Sequence, residues 1–248
     1  MVKYNNTPII EAVCEFRFSS DTNWDLTTPG IMYGEIHEEF PHIEQHALQD
    51  INLLQDASVK GTRINTTILA RFLSEDKKKL IQVGPRILSI NRLKPYHSWS
   101  DFKSQINYAF QKLNERVELK GVQRIGLRYV NKIEIPTEQG KVDLEKYFDF
   151  RPFCGPNLPQ SHANFIAGCL FTYSDERDRC QVQLTDATPE IENALAFLLS
   201  IDYFLAKPQS IPITQSMDWI EEAHGVVENL FEGCILPPLR EIFCKEEE

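Results

Sequence analysis

The densest grouping of chemically capable side chains lies between residues 35 and 46. There His37, His42 and His46 fall among Glu35, Glu38, Glu39 and Glu44. On a helix, His42 and His46 at a spacing of four share one face, as a zinc ion requires. Pro41 ends the preceding helix, however, so the segment reads as an exposed acidic linker and no metal is expected. His224, between Glu221 and Glu228 at helical spacing, has the pattern of a solvated helix face. The chain has no G-x-x-x-x-G-K-[ST] loop, no G-x-G-x-x-G after a strand and no H-E-x-x-H helix. It also lacks a G-x-S-x-G elbow and a kinase-like set. With 6 Cys and 6 His, a distant Cys–His pair is always available and tells nothing. These residues support no catalytic mechanism and no cofactor, and a non-enzyme is the better reading.

Two segments carry charge in a more useful pattern. Glu11-Ala12-Val13-Cys14-Glu15-Phe16-Arg17-Phe18 alternates, with Ala12, Cys14, Phe16 and Phe18 on one face and Glu11, Glu15 and Arg17 on the other. Arg124-Ile125-Gly126-Leu127-Arg128-Tyr129 does the same, turning Arg124 and Arg128 outward. Period-two alternation is the mark of a strand with one dry face. Paired antiparallel, these strands are expected to set Glu11 opposite Arg128, Glu15 opposite Arg124 and Val13 opposite Gly126. Each opposite-charge pair contributes about 0.2–1 kcal/mol. Such a ladder is first a structural clasp. The sharper reading is a ligand or partner site, or an enzyme with a non-standard Glu/Arg centre.

Charge is unevenly spread. Residues 1–50 carry 2 basic and 9 acidic side chains (net −7), residues 51–133 carry 16 and 6 (net +10), and residues 134–248 carry 8 and 21 (net −13), which sum to −10. The basic middle offers Arg71, Lys77, Lys78, Lys79, Arg86, Arg92 and Lys94 as candidates for nucleic-acid contact. Overall acidity weighs against phosphate backbones as partners, and a basic segment between acidic flanks is equally suited to internal pairing.

The elements that must hold these residues recur in order. Ile87-Leu88-Ser89-Ile90-Asn91 matches Leu198-Leu199-Ser200-Ile201-Asp202. Upstream of each stands a charged hairpin tip, residues 74–79 and 174–179, joining strand-like runs: 67–73 to 80–83, and 165–173 to 180–184. Gly84-Pro85-Arg86 serves as the tight turn of the first half, and the longer 185–195 stretch replaces it in the second. Downstream, Ser98 and Ser216 open amphipathic helices, with Phe102, Ile106, Ala109, Phe110 and Leu113 on one stripe and Trp219, Ala223, Val226, Val227 and Leu230 on the other. Short helical segments are expected near 31–40 and 144–148. The unit is therefore strand, short helix, three strands, long helix, present twice: residues 1–120 and 121–248. The expected fold is α+β, one continuous pseudo-twofold domain with an antiparallel sheet and both long helices on its apolar face.

Two further stretches are candidates for a partner surface. Pro95, Tyr96 and Trp99 join a strand to a helix, which makes a packed corner or an aromatic groove. Around Pro237-Pro238 the C-terminal stretch is amphipathic, and Leu239, Ile242 and Phe243 can pack inward or meet a partner. The last four residues, Lys245-Glu246-Glu247-Glu248, read as frayed.

Composition is ordinary for a globular chain, at 42% hydrophobic and 25% charged residues. No apolar run approaches the roughly 20 residues of a membrane helix, and the N-terminus lacks a signal-peptide layout. A cytoplasmic protein is expected. Cys14, Cys154, Cys169, Cys180, Cys234 and Cys244 form no C-x-x-C pair, and Cys14, Cys169 and Cys180 occupy apolar strand positions as buried free thiols.

Four segments together, PIIEAVCEFRF, LIQVGPRILSINRLKPYHSW, QRIGLRYVNKIEIP and VVENLFEGCILPPLREIF, resemble a sporadically distributed prokaryotic family of uncharacterised proteins of this size. The resemblance runs almost from end to end and departs from the family pattern at Leu236-Pro237-Pro238. It brings no activity, cofactor or site residue. A patchy distribution implies an accessory or defence-type gene cassette and a partner-dependent role. The expected function is thus non-catalytic binding or scaffolding of a protein partner, with nucleic-acid binding as the alternative.

Overall fold

The computed structural model describes residues 4–56, 59–137, 140–159, 164–173 and 176–244, giving only the strand path over 48–56 and 59–66. Residues 174 and 175 of the second hairpin tip, and the tail 245–248, lie outside the described residues. The chain runs β1 (Ile9–Phe18), α1 (Thr28–Ile36), β2 (His42–Asp56), β3 (Val59–Leu73), β4 (Lys79–Gly84), β5 (Ile87–Leu93) and α2 (Trp99–Asn114). It continues β6 (Val122–Pro136), β7 (Ile166–Tyr173), β8 (Asp178–Ala187), β9 (Ala194–Leu205), α3 (Ser216–Cys234) and α4 (Pro237–Cys244).

The fold is α+β around a single nine-stranded sheet of order β2-β3-β4-β5-β1-β6-β9-β8-β7. All neighbouring strands are antiparallel. Alternation explains the strands. Ala12, Cys14, Phe16 and Phe18 of β1 are buried, and so are Ile125, Leu127 and Tyr129 of β6, while the intervening residues face the other way. These apolar faces share one core with Phe102, Ile106, Ala109 and Leu113 of α2 and with Trp219, Ala223 and Val227 of α3. Fully burying a large aliphatic or aromatic side chain contributes about 1.5–3 kcal/mol, so this shared layer is the main source of stability.

Several expectations need correction. The segment beginning at His42 is β2, paired with β3 along its whole length, and not a linker. The first half therefore has four strands between its helices. Near residue 144 there is only a single 3-10 turn, Leu144–Lys146, capped by Asp143. Ser98 caps α2 as expected, its hydroxyl accepting from the Asp101 amide at 3.2 Å. Ser216 does not cap α3: it is the first helical residue, following a 3-10 turn, and its buried hydroxyl has no hydrogen-bond partner.

Candidate functional site

The strands β1 and β6 lie side by side, but two residues out of the expected register. Glu11 faces Val130, Val13 faces Arg128, Glu15 faces Gly126 and Arg17 faces Arg124. The charge ladder is consequently diagonal. Arg124 reaches across Gly126 to Glu15 at 3.3 Å and to Asp202 of β9 at 2.9 Å, and its guanidinium lies over the Phe204 ring at 4.7 Å. Gly126 makes this possible, since a Cβ there would sit 2.4 Å from Arg124 Nη1. Glu15 also accepts from Arg17 Nε at 2.8 Å. Glu11 accepts from Asn91 at 2.7 Å, and Arg128 donates to Ser200 at 2.9 Å. The network extends through Asn91, Ser89 and Gln82 to Arg71. Burial raises the Asp202 carboxyl above its ordinary range, against the lowering pull of Arg124 and then Arg128. The charged side chains of this face are thus paired largely with one another along the central seam.

Five of the basic candidates gather at one end of the β4–β5 pair, where Lys79 lies opposite Arg92 and the Leu93 amide donates to the Lys78 carbonyl beside Lys94, while Arg71 and Arg86 lie elsewhere. Arg71 is on the face of the charged network, 3.9 Å from Glu44. Arg92 is buried and pairs with Ala12, placing it on the opposite, helix-covered face. Lys77 and Lys78 are exposed at the β3–β4 turn, with Lys79 half-buried beside them. Arg86 sits at the β4–β5 turn, at the other end of β4, in a left-handed conformation (φ 56°) with its Nε buried and unpartnered. Lys94 is exposed just past β5.

The aromatic corner packs inward. The Tyr96 hydroxyl is 3.1 Å from that of Tyr129 on β6, and Trp99 stacks on His224 at 4.0 Å. His224 is thus buried beneath α2 and is not a solvated residue, as the sequence suggested. Its Nδ1 is 3.3 Å from the Tyr129 hydroxyl, and its Nε2 is 3.3 Å from Glu228 without hydrogen-bond geometry. Burial pushes the imidazole down to about 4, although the Glu221 carboxylate pulls the other way. Burial likewise raises Glu228. Both groups are driven towards neutrality. The tail packs on the core: Leu239 and Phe243 are buried and Ile242 is half-buried.

Cys14, Cys180 and Cys234 are buried and Cys154 is half-buried, but Cys169 is exposed, because β7 is the last strand of the sheet. Burial raises the Cys180 and Cys234 thiols to about 12. His42 and His46 lie on a strand, where a spacing of four is roughly 13 Å, so the helical metal geometry does not arise. Among the described residues, no group of three His, Cys, Asp or Glu is placed to hold a metal. Likewise, no described helix is long and apolar enough to cross a membrane.

One feature escaped the sequence altogether. Trp24, Asp25, Leu26, Pro29, Gln45, Ile68, Ala70, Gly84 and Pro85 line a groove of about 540 Å³ beside the start of α1. Leu26 is 97% exposed and Ile68 64% exposed, with Ile43 of β2 exposed nearby in sequence to Gln45. These residues come from four stretches of chain: β2–β3 pairing sets Gln45 opposite Ala70, β3–β4 pairing brings Gly84 close against Leu69, and the Trp24–Pro29 stretch borders them. No protein-family model, no curated protein and no solved structure matches the chain.

Proposed function

We propose that the chain is a non-catalytic binding protein that docks a protein partner in the groove beside α1 and β3. The observation that carries this reading is the pair Leu26 and Ile68, large aliphatic side chains held in water at an apolar groove. Concentrated apolar exposure of this kind marks interaction surfaces, and covering each side chain is worth about 1.5–3 kcal/mol. The acidic Glu75 and Asp76 set in the same turn as Lys77 to Lys79, and the separation of Arg71 and Arg86 from that group, support a protein partner over a nucleic acid. The mutual pairing of Glu15, Arg17, Arg124 and Asp202 supports a structural clasp over a catalytic centre.

The doubled architecture belongs to the same proposal. Outwards from the β1–β6 seam the strands run β5, β4, β3 on one side and β9, β8, β7 on the other. That order supports residues 1–120 and 121–248 as two copies of one unit, each closed by a long helix over the shared core, with β2 as an addition to the first. The family resemblance makes a product of a neighbouring accessory gene the first partner to seek.

The test is recovery of the tagged protein from its native cells, as wild type and as Leu26→Asp/Ile68→Asp, with mass spectrometry of what accompanies it. A stoichiometric protein should accompany the wild type and be lost from the variant, whose thermal midpoint stays unchanged because both sites are exposed. No stoichiometric companion, or the same companion with both, refutes the proposal.

A further inference from the structure

The two ends of the sheet are treated differently. At one end β2 carries Glu44, Asp50 and Asp56, the charges that ordinarily keep a free edge from pairing. At the other end β7, Ile166-Ala167-Gly168-Cys169-Leu170-Phe171-Thr172-Tyr173, contains no charged residue and no proline, and it is the only strand free of charge. Its side chains are exposed on both faces: Ile166 by 76%, Leu170 by 53% and Phe171 by 40%. One edge of its backbone is paired with β8, and among the described residues the other carries no strand.

We infer that β7 is a dimerisation edge, pairing antiparallel with β7 of a second copy to make one continuous sheet. A two-fold axis relating two such strands stands perpendicular to the sheet and keeps every side chain on its own face. Residues of like parity must then oppose one another. Two registers satisfy this with seven residues paired. With the axis through Cys169 (166–172 paired), Cys169 meets its own copy, Leu170 meets Gly168 and Phe171 meets Ala167. With the axis through Leu170 (167–173 paired), Leu170 meets its own copy and Cys169 meets Phe171. Either register sets apolar or small side chains opposite each other and no like charges. Self-pairing also closes the assembly. Pairing β7 with the acidic β2 of a second copy would leave a free edge at each end and run on as a fibre. The edge lies at the far end of the sheet from the groove, so this inference and the proposed function stand or fall separately.

The experiment is sedimentation equilibrium of the full chain up to roughly 100 μM, for wild type and for Cys169→Lys/Leu170→Lys. The double substitution sets like charges at the axis of either register, on residues too exposed to endanger the fold, which circular dichroism checks. Wild type should dimerise and the variant should weaken the dimer at least about tenfold. Directly opposed residues lie within disulfide reach. Mild diamide oxidation should therefore give a covalent dimer either through Cys169, lost in Cys169→Ser, or through Leu170→Cys in the Cys169→Ser background. A monomeric wild type overturns the inference. So does a dimer that survives the lysines, or one that neither thiol position cross-links.

Discussion

His224 makes the stability of this protein fall with acidity across a defined window. Its imidazole lies beneath Trp99 of α2, beside Tyr129 of β6, and between Glu221 and Glu228 on its own helix, where burial holds it at about 4 against an ordinary 6.5. Above pH 6.5 the residue is neutral in both folded and unfolded chains and contributes no pH dependence. Below 6.5 the unfolded chain takes up a proton that the folded chain refuses, so stability drops by about 1.4 kcal/mol per pH unit. The loss is complete near pH 4. Full linkage over that interval gives about 3 kcal/mol, and relaxation and water penetration around the protonated imidazole reduce it to nearer 2. Glu228, whose carboxyl burial raises, contributes in the opposite direction on acidification, and the comparison with the variant cancels its own share. Urea unfolding of wild type and His224→Gln at pH 7.5, 6.5, 5.5 and 4.5 measures the effect as the difference between the two curves. The variant should lose less stability on acidification, with the gap opening only below pH 6.5. Parallel curves would refute the reasoning, and a wild type that gains on the variant below pH 6.5 would mean that the carboxylates outweigh burial.

Asp178 is fully buried and accepts from Arg177 at 2.6 Å, Trp219 Nε1 at 3.0 Å and the Tyr203 hydroxyl at 3.1 Å. Asp178→Ala strands two buried donors and an arginine, and urea unfolding at pH 7 should show a loss of about 3–5 kcal/mol. Gly126→Ala pushes the Arg124 guanidinium out of the space above Gly126, away from Glu15 and Asp202, while the backbone stays in place. It should cost about 1–2 kcal/mol at pH 7, and an NMR titration should show the Asp202 carboxyl rising further once its strongest compensating charge has left.

What could be read from the sequence was whatever one segment decides for itself. The alternation of β1 needs only its own residues, and so does the Ser98 cap of α2. Sheet membership and strand adjacency at the seam followed from the two alternating faces, whereas register did not. An arginine reaches diagonal neighbours as readily as opposite ones, so charge matching left a two-residue ambiguity that Gly126 resolves by making room for Arg124. The strand at His42–Asp56 was hidden because His42-Ile43-Glu44-Gln45-His46 has one large apolar residue. It is a strand because β3 pairs it throughout, which is a tertiary cause. His224 looked solvated for the same reason: its own helix offers it Glu221 and Glu228, and only α2 supplies the covering Trp99.

The same tertiary geometry explains why the groove is where it is. β3 spans fifteen residues, but β4 pairs only with its last four, Ala70 to Leu73. Helix α1 covers that short paired stretch, through Tyr33 stacked on Phe72 and through its packing on β4. Ile68 lies just beyond it, paired with Ala47 of β2, and only the start of α1, at Pro29, borders the groove it lines. A two-stranded ribbon has too little apolar cover to be stable alone in water; it needs a third strand or a packed layer. The proposed partner, seated against Leu26 and Ile68, would supply that layer. The groove is thus the place where the strand pairing of the first half outruns its helical cover, and β7 is the place where the second half ends without a charged edge.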